Sequence, residues 1–305
     1  MKTLSVPSPL PVSPAQSDAV TRAAKRAATR ATSEPRFLQW FLIALALVAM
    51  GVILVVPLFV VFSEAFSKGI ELYKASLVDS EALSAIKLTL LVALVAVPIN
   101  TVFGIAAAWA ITRFNFRGKG FLITLLDLPF AVSPVISGLI FVLMFGRRGI
   151  LGPYLQAHDW KIIFALPGVI LATLFVTFPF VARQLIAFME SQGAEEEEAA
   201  VTLGANGFQT FWRVTLPNIK WALLTGIILC NARAMGEFGA VSVVSGHVRG
   251  QTNTIPLQVE ILYNEYQYVA AFALASLLTL LGLVTLCIKS ILEWKTAKQL
   301  KEGQI

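Results

Sequence analysis

The sequence predicts an all-α polytopic membrane protein with six transmembrane helices and a cytoplasmic loop of helices between the fourth and fifth. Three observations carry that prediction. Of 305 residues, 57% are hydrophobic and only 14% are charged, where soluble domains carry roughly 25% charged residues. Mean hydropathy is +0.75. The missing charge is concentrated in long uncharged runs, each near the ~20 apolar residues that cross a bilayer.

Taken in order, the runs are Trp40–Phe62, Leu83–Ile111, Phe121–Phe145, Ile162–Phe188, Asn218–Ser245 and Val269–Leu292. Residues 1–36, which precede them, are rich in Pro, Ser, Thr and Ala and end in Arg22, Lys25, Arg26, Arg30 and Arg36. They lack the apolar h-region of a secretory signal and read as a flexible basic cytoplasmic tail rather than a transit peptide. Residues 37–295 form the membrane domain, and 296–305 a short C-terminal tail. The net charge of +6 sits at the ends of apolar runs, as it does in cytoplasmic loops, and does not argue for a nucleic-acid partner. The N-terminal basics, then Arg113, Arg117 and Lys119, then Lys289, Lys295, Lys298 and Lys301 fall on one side of a six-span chain. The positive-inside bias makes that side cytoplasmic and places both termini there. Arg147, Arg148 and Lys161 fall on the other side and are outvoted.

Prolines interrupt the first four runs, and the cluster Asp127–Pro134 (DLPFAVSP) combines two prolines, an acid and Ser133 within one span. Such a stretch predicts an irregular helix that faces a pathway or a partner helix rather than lipid. Cys230 and Cys287 both sit in apolar runs, so neither a disulfide framework nor a zinc-type spacing is implied.

Gly193–Pro217 is the longest polar insert between spans, GAEEEEAAVTLGANGFQTFWRVTLP. Glu195–Glu198 suit a helix N-terminus. Gly204 stands where a helix end takes a left-handed residue. Asn206 can cap a second short helix over Gly207–Val214, and Pro217 suits the first turn of the fifth span. The reading is two short helices joined at a glycine bend, with apolar side chains that need a partner.

Glu198-Ala199-Ala200, three residues, Gly204, nine residues, then Val214-Thr215-Leu216-Pro217 resembles the EAA loop of bacterial ABC importer permeases, with Val214 where that family usually has Ile. Three further stretches, Leu125–Leu139, Asn231–Gly246 and Thr254–Tyr266, together with Glu195–Ile219, are similar to the sulfate/thiosulfate permeases of that family. The resemblance implies a subunit of the cell inner membrane that imports sulfate or thiosulfate by alternating access. It implies that Glu198, Ala199, Ala200, Gly204, Leu216 and Pro217 couple the chain to an ATPase. The implied partners are a homologous sulfate permease, two copies of a cytoplasmic ABC ATPase, a periplasmic sulfate/thiosulfate-binding protein and the lipid bilayer. ATP and Mg would be used by the ATPase, with no cofactor bound by this chain. A molybdate permease, or an ATP-independent carrier or channel, is the rival reading.

Arg233 and Glu237 are placed near the middle of the fifth span, four residues apart on one face. A charge at that depth costs ~2.5–3.5 kcal/mol on insertion scales unless it is paired or wet. Two roles stay open: an anion-pathway or gate residue held by Glu237, or a structural ion pair. Ser133 and Ser137 can offer hydroxyls to an oxyanion or bond their own helix backbone. Ala232, Gly236 and Ala240 read as a small-residue packing stripe. Asn100, Asp127, Arg183 and Gln184 read as ties between helices or boundary residues. No G-x-x-x-x-G-K-[ST] occurs, and Gly146–Gly152 is a glycine-rich turn. His158 and His247 are isolated, and no catalytic constellation is visible, so the chain is expected not to be an enzyme.

Overall fold

In a computed structural model, residues 36–302 of the protein are described. The expected basic tail, apart from Arg36, and the last three residues lie outside them. The chain divides into two compact units, Met1–Phe59 and Val60–Ile305. Among the described residues all regular structure is helical.

The first apolar segment comprises α1 (Arg36–Met50), a π-helical turn over Gly51–Val55, and α2 (Val56–Ala65). Pro57 follows the π turn by two residues. A proline inside an α-helix offers no N–H and crowds the carbonyl four residues back. The wider π turn just before it takes up that mismatch without breaking the helix.

The second unit is built around α4 (Ser80–Arg113), which begins after the short helix α3 (Ile70–Val78). Asp79 caps α4 through the Glu81 N–H at 3.0 Å. Beside α4 lie α8 (Leu166–Gln192) and α11 (Leu216–Met235). Their shared core includes Ala93, Ala108, Val181, Leu185, Met189, Ile219 and Cys230. Asn100 is fully buried there and ties the three helices, donating to Thr177 Oγ1 at 2.7 Å and to the Leu174 carbonyl at 3.3 Å, with Cys230 Sγ at 3.8 Å. An amide at this depth must find partners inside the protein, because hydrocarbon offers none.

The third predicted span is present as two helices, α5 (Lys119–Ala131) and α6 (Pro134–Phe145), bent by 107°. Val132 and Ser133 between them are extended, Ser133 with ψ 133°. The ring of Pro134 denies its predecessor the α conformation, so the helix must stop there. Among the described residues five helices are long and apolar enough to cross a membrane, and six spans result if the bent pair counts as one.

The fifth span differs from its expected form. The helix ends at Met235, and α12 (Gly239–Ser245) starts after a break at Gly236–Phe238. Ala232, Gly236 and Ala240 therefore do not form one stripe, since Gly236 falls in the break. The close approach is made elsewhere: a Cβ on Gly138 would lie 2.7 Å from the Ala240 carbonyl oxygen, so α6 and α12 meet only because residue 138 has no side chain. Thr254–Tyr266, which lies between the fifth and sixth expected spans, contains α13 (Ile255–Asn264), with Leu257 and Gln258 buried against neighbouring helices. A short helix α7 (Gly152–Ala157) lies in the connection after α6, and α14 (Tyr268–Glu302) closes the described chain.

Candidate functional site

The Gly193–Pro217 segment sits where α4 and α8 end. α9 (Glu195–Thr202) carries all four glutamates in its first turn, against the positive end of its dipole. Gly204 has φ +90°, a left-handed conformation that costs a residue with a Cβ roughly 1–2 kcal/mol. Asn206 then opens α10 (Gly207–Thr210) with a reciprocal capping box, its side chain accepting from the Gln209 N–H at 2.9 Å. The second short helix is not separate from the fifth span. α10 runs through a π turn over Phe211–Thr215 directly into α11, so 207–235 is one helical run. Pro217 follows this π turn by two residues, the spacing seen at Pro57.

The acidic turn of α9 is bound to the bundle by charge. Arg113, the last residue of α4, forms an ion pair through Nε with Glu197, and both side chains are largely buried. The same guanidinium donates to the Gly193 carbonyl at 2.6 Å, where α8 has just ended. Glu197 also accepts from Thr215 Oγ1 at 2.8 Å, and Glu196 accepts from Asn218 Nδ2. Arg113 thus joins the end of one span, the end of a second and the α9 helix, and Glu197 passes the connection on to the start of a third span. These two residues were not among the sequence candidates. Glu198 and Ala199 are exposed, Ala200 and Leu216 are half-buried, and Gly204 and Pro217 are exposed. On the outer side of the segment Val201, Leu203, Phe208 and Trp212 stand bare, Leu203 at 89% exposure.

Arg233 and Glu237 are paired at 2.8 Å, at the end of α11 rather than the middle of a longer helix. Glu237 is 1% exposed and its Oε1 accepts the Ala240 N–H at 2.9 Å. It therefore holds Arg233 with one oxygen and caps α12 with the other, bridging the break. Gly236 and Gly239 stand on either side of the break residues Glu237 and Phe238. Ser137 is buried and bonds the Ser133 carbonyl at 3.2 Å, a bond to its own helix backbone, while Ser133 is exposed at the bend. Asp127 and Arg183 tie α5 to α8, with Arg183 Nε donating to Asp127 Oδ1 at 2.8 Å.

At the far end of α4, Arg249 bonds both Glu81 and Glu265, and Glu81 also accepts from Gln258 Nε2 at 3.0 Å. The hydrogen bond to Glu265 holds the Arg249 pKa above its ordinary value. His247, isolated in sequence, lies 3.5 Å from Glu260. Beneath them is a buried polar network. Thr252 Oγ1 donates to the Ser245 carbonyl at 2.6 Å, Asn253 to Gln258 at 3.1 Å, and the Ile255 N–H to Thr89 Oγ1 at 2.8 Å. Among the described residues no His/Cys/Asp/Glu cluster could hold a metal ion.

The sequence matches the family model described as "Binding-protein-dependent transport system inner membrane component" over residues 100–298. It is 53% identical over 266 residues to the sulfate transport system permease protein CysW of Escherichia coli K12, covering 87% of this chain and 91% of that one. It is 35% identical over 258 residues to the sulfate transport system permease protein CysT of the same organism, covering 84% and 93%. The fold superimposes with a TM-score of 0.70 on a chain of a bacterial alginate ABC transporter solved in complex with an alginate pentasaccharide-bound periplasmic protein. Coverage there is 84% of this chain and 92% of that one, at 18% identity, a likeness of fold alone.

Proposed function

The chain belongs to the inner membrane components of binding-protein-dependent transport systems, and from that premise we propose that it is the permease subunit of an ATP-driven importer of sulfate or thiosulfate. It is a multi-pass membrane subunit that supplies a path and a lever rather than covalent chemistry. The observation that carries the reading is the Arg113–Glu197 anchor beneath a bare apolar face. A helix held by the Arg113 ion pair and by hydrogen bonds from Thr215 and Asn218, and followed by the exposed Leu203, Phe208 and Trp212, suits a load applied from outside the membrane.

In this reading a cytoplasmic ATPase grips α9 and α10. Its ATP-driven closure moves them, and Arg113 and Glu197 pass the displacement to α4, α8 and α11 as a rigid-body shift. Two copies of the ATPase serve two permeases, this chain and a CysT-like partner, and a periplasmic binding protein delivers the anion to the Arg249 end. ATP and Mg bind the ATPase. Glu198, Ala199, Ala200 and Gly204 line the contact, while Leu216 and Pro217 join it to the span. Both termini are cytoplasmic. Sulfate is supported by the names of relatives with over half of aligned residues identical.

Labelled sulfate uptake in a strain lacking its own sulfate permeases tests this, with molybdate as competitor. Uptake that sulfate and thiosulfate compete and molybdate does not is the expected result. Preferential competition by molybdate would reassign the cargo. Uptake that persists with an ATPase unable to hydrolyse ATP would reassign the class to an ATP-independent carrier.

A further inference from the structure

Two of the ion pairs on the span helices are built alike. In Arg233–Glu237 the side chains are 34% and 1% exposed, and in Arg183–Asp127 they are 54% and 37% exposed. In both, the guanidinium is the more exposed member. The first pair joins a helix to its own continuation, and its carboxylate also serves as a cap. The second has no such backbone duty. Asp127 Oδ1 takes both Nε and Nη2 of Arg183, which leaves Nη1 without a hydrogen-bond partner among the described residues.

The depth of this second pair decides what it faces. Arg183 lies nine residues before the end of α8 at Gln192, about 14 Å along the helix, and Asp127 eight residues after the start of α5 at Lys119, about 12 Å. An arginine near a helix end can reach the headgroups, but an aspartate side chain is too short to do so. Here Arg183 turns to Asp127 instead, and its guanidinium lies over the Phe130 ring at 5.4 Å from the centroid. Phe130 is itself 53% exposed and stacks edge-on against Phe180. A half-exposed carboxylate and guanidinium at this depth do not face hydrocarbon, which penalises each of them. They face water or protein.

We propose that Arg183 is an anion-contacting residue of the transport path, held in place by Asp127 and Phe130. Asp127 is a positioning residue: it fixes the guanidinium plane through one edge and leaves the remaining N–H groups for an oxyanion. A guanidinium suits that ligand because its planar donors match two oxygens of a tetrahedral anion at once. The proposal rests on the sulfate-import reading above and adds to it a residue separate from Arg233.

The test uses the complete transporter, reconstituted in liposomes with its partner permease, ATPase and binding protein. Arg183→Gln should raise the sulfate KM by about tenfold or more, the worth of a charged hydrogen bond, and Arg183→Lys should fall between it and the parent. Arg183→Cys, made with Cys287→Ser, should react with a charged, membrane-impermeant thiol reagent, and sulfate should slow that reaction. Phe130→Cys reports on the same face if the first complex does not assemble. The double reversal Asp127→Arg with Arg183→Asp should not restore uptake, because it moves the cation to another helix. Full restoration by the reversal would show a mere tie and overturn the proposal, as would a thiol that stays unlabelled or whose labelling is indifferent to sulfate. Absence of sulfate uptake by the unaltered complex would instead overturn the proposed function.

Discussion

At the Arg113 end of the bundle, 193–217 is fastened by charge on one side and leaves apolar side chains bare on the other. At the opposite end of α4, 246–254 turns its polar groups inward. Thr252, Asn253 and Thr254 are all under 5% exposed, and the covering cluster is Arg249 with two carboxylates. The first arrangement concentrates connection in two side chains, Arg113 and Glu197, so a push on α9 reaches several helices through few bonds. The second spreads connection over many neutral hydrogen bonds, so no single one carries it. A lever needs the former and a seal the latter.

Substitutions at the two ends should therefore fail differently. The largest effect is expected at Gly204. Gly204→Trp should abolish sulfate uptake and co-purification of the ATPase, although space around residue 204 is open. Gly204→Ala carries only the left-handed strain of about 1–2 kcal/mol and should retain measurable uptake. If both variants transport normally, the lever account fails.

Glu237→Ala comes next. It strips the Arg233 pair and the α12 cap together, and the loss should be about 3 kcal/mol, as for one partner of a buried pair. It should be seen as a drop in the thermal midpoint of the purified protein. An unchanged midpoint would show that the break at Gly236 is held by packing alone.

Arg113→Ala leaves Glu197 and the Gly193 carbonyl without their cation. The expected cost is about 2 kcal/mol, that of a hydrogen bond to a charged group. The telling readout is sulfate moved per ATP hydrolysed, which should fall while hydrolysis by the complex continues. A proportional fall in both would mean that Arg113 only supports folding.

The smallest effect is expected at the Arg249 end. Thr252→Val removes the neutral hydrogen bonds to the Ser245 carbonyl and from the Val248 N–H and should cost about 1–2 kcal/mol, detectable in the thermal midpoint, with transport per ATP unchanged.

The outline of this fold was legible because hydrocarbon imposes long apolar runs, and the 193–217 segment because it was too polar to be one of them. Its anchor was not. Four consecutive glutamates look equivalent on paper, and only the placement of Arg113, over 80 residues earlier, selects Glu197. The pair Arg233–Glu237 was visible as charges four apart. The break between them was signalled only by Gly236 and Gly239, and Gly236 also fits the packing stripe of Ala232, Gly236 and Ala240. The helix over 255–264 was too short to count as a span, yet Thr254 followed by Ile255-Pro256 is a helix-start signal. The tie between Asp127 and Arg183 was expected in kind; its exposure could not be, because sequence does not say which side of a helix remains uncovered.

The π turn over Phe211–Thr215 has a consequence for azimuth. Each residue advances an α-helix by about 100°, so one extra residue in a turn sets everything before it out of phase with everything after it. Phe208 and Trp212 therefore point in a direction that no helical wheel drawn from Leu216 backward would give. The turn works as an index between the outward-facing aromatic pair and the membrane span. Deleting Arg213 alone would keep the helix, both aromatics and Thr215 while rotating that pair around the axis. A one-residue deletion of this kind would test orientation alone, with every contacting side chain still present.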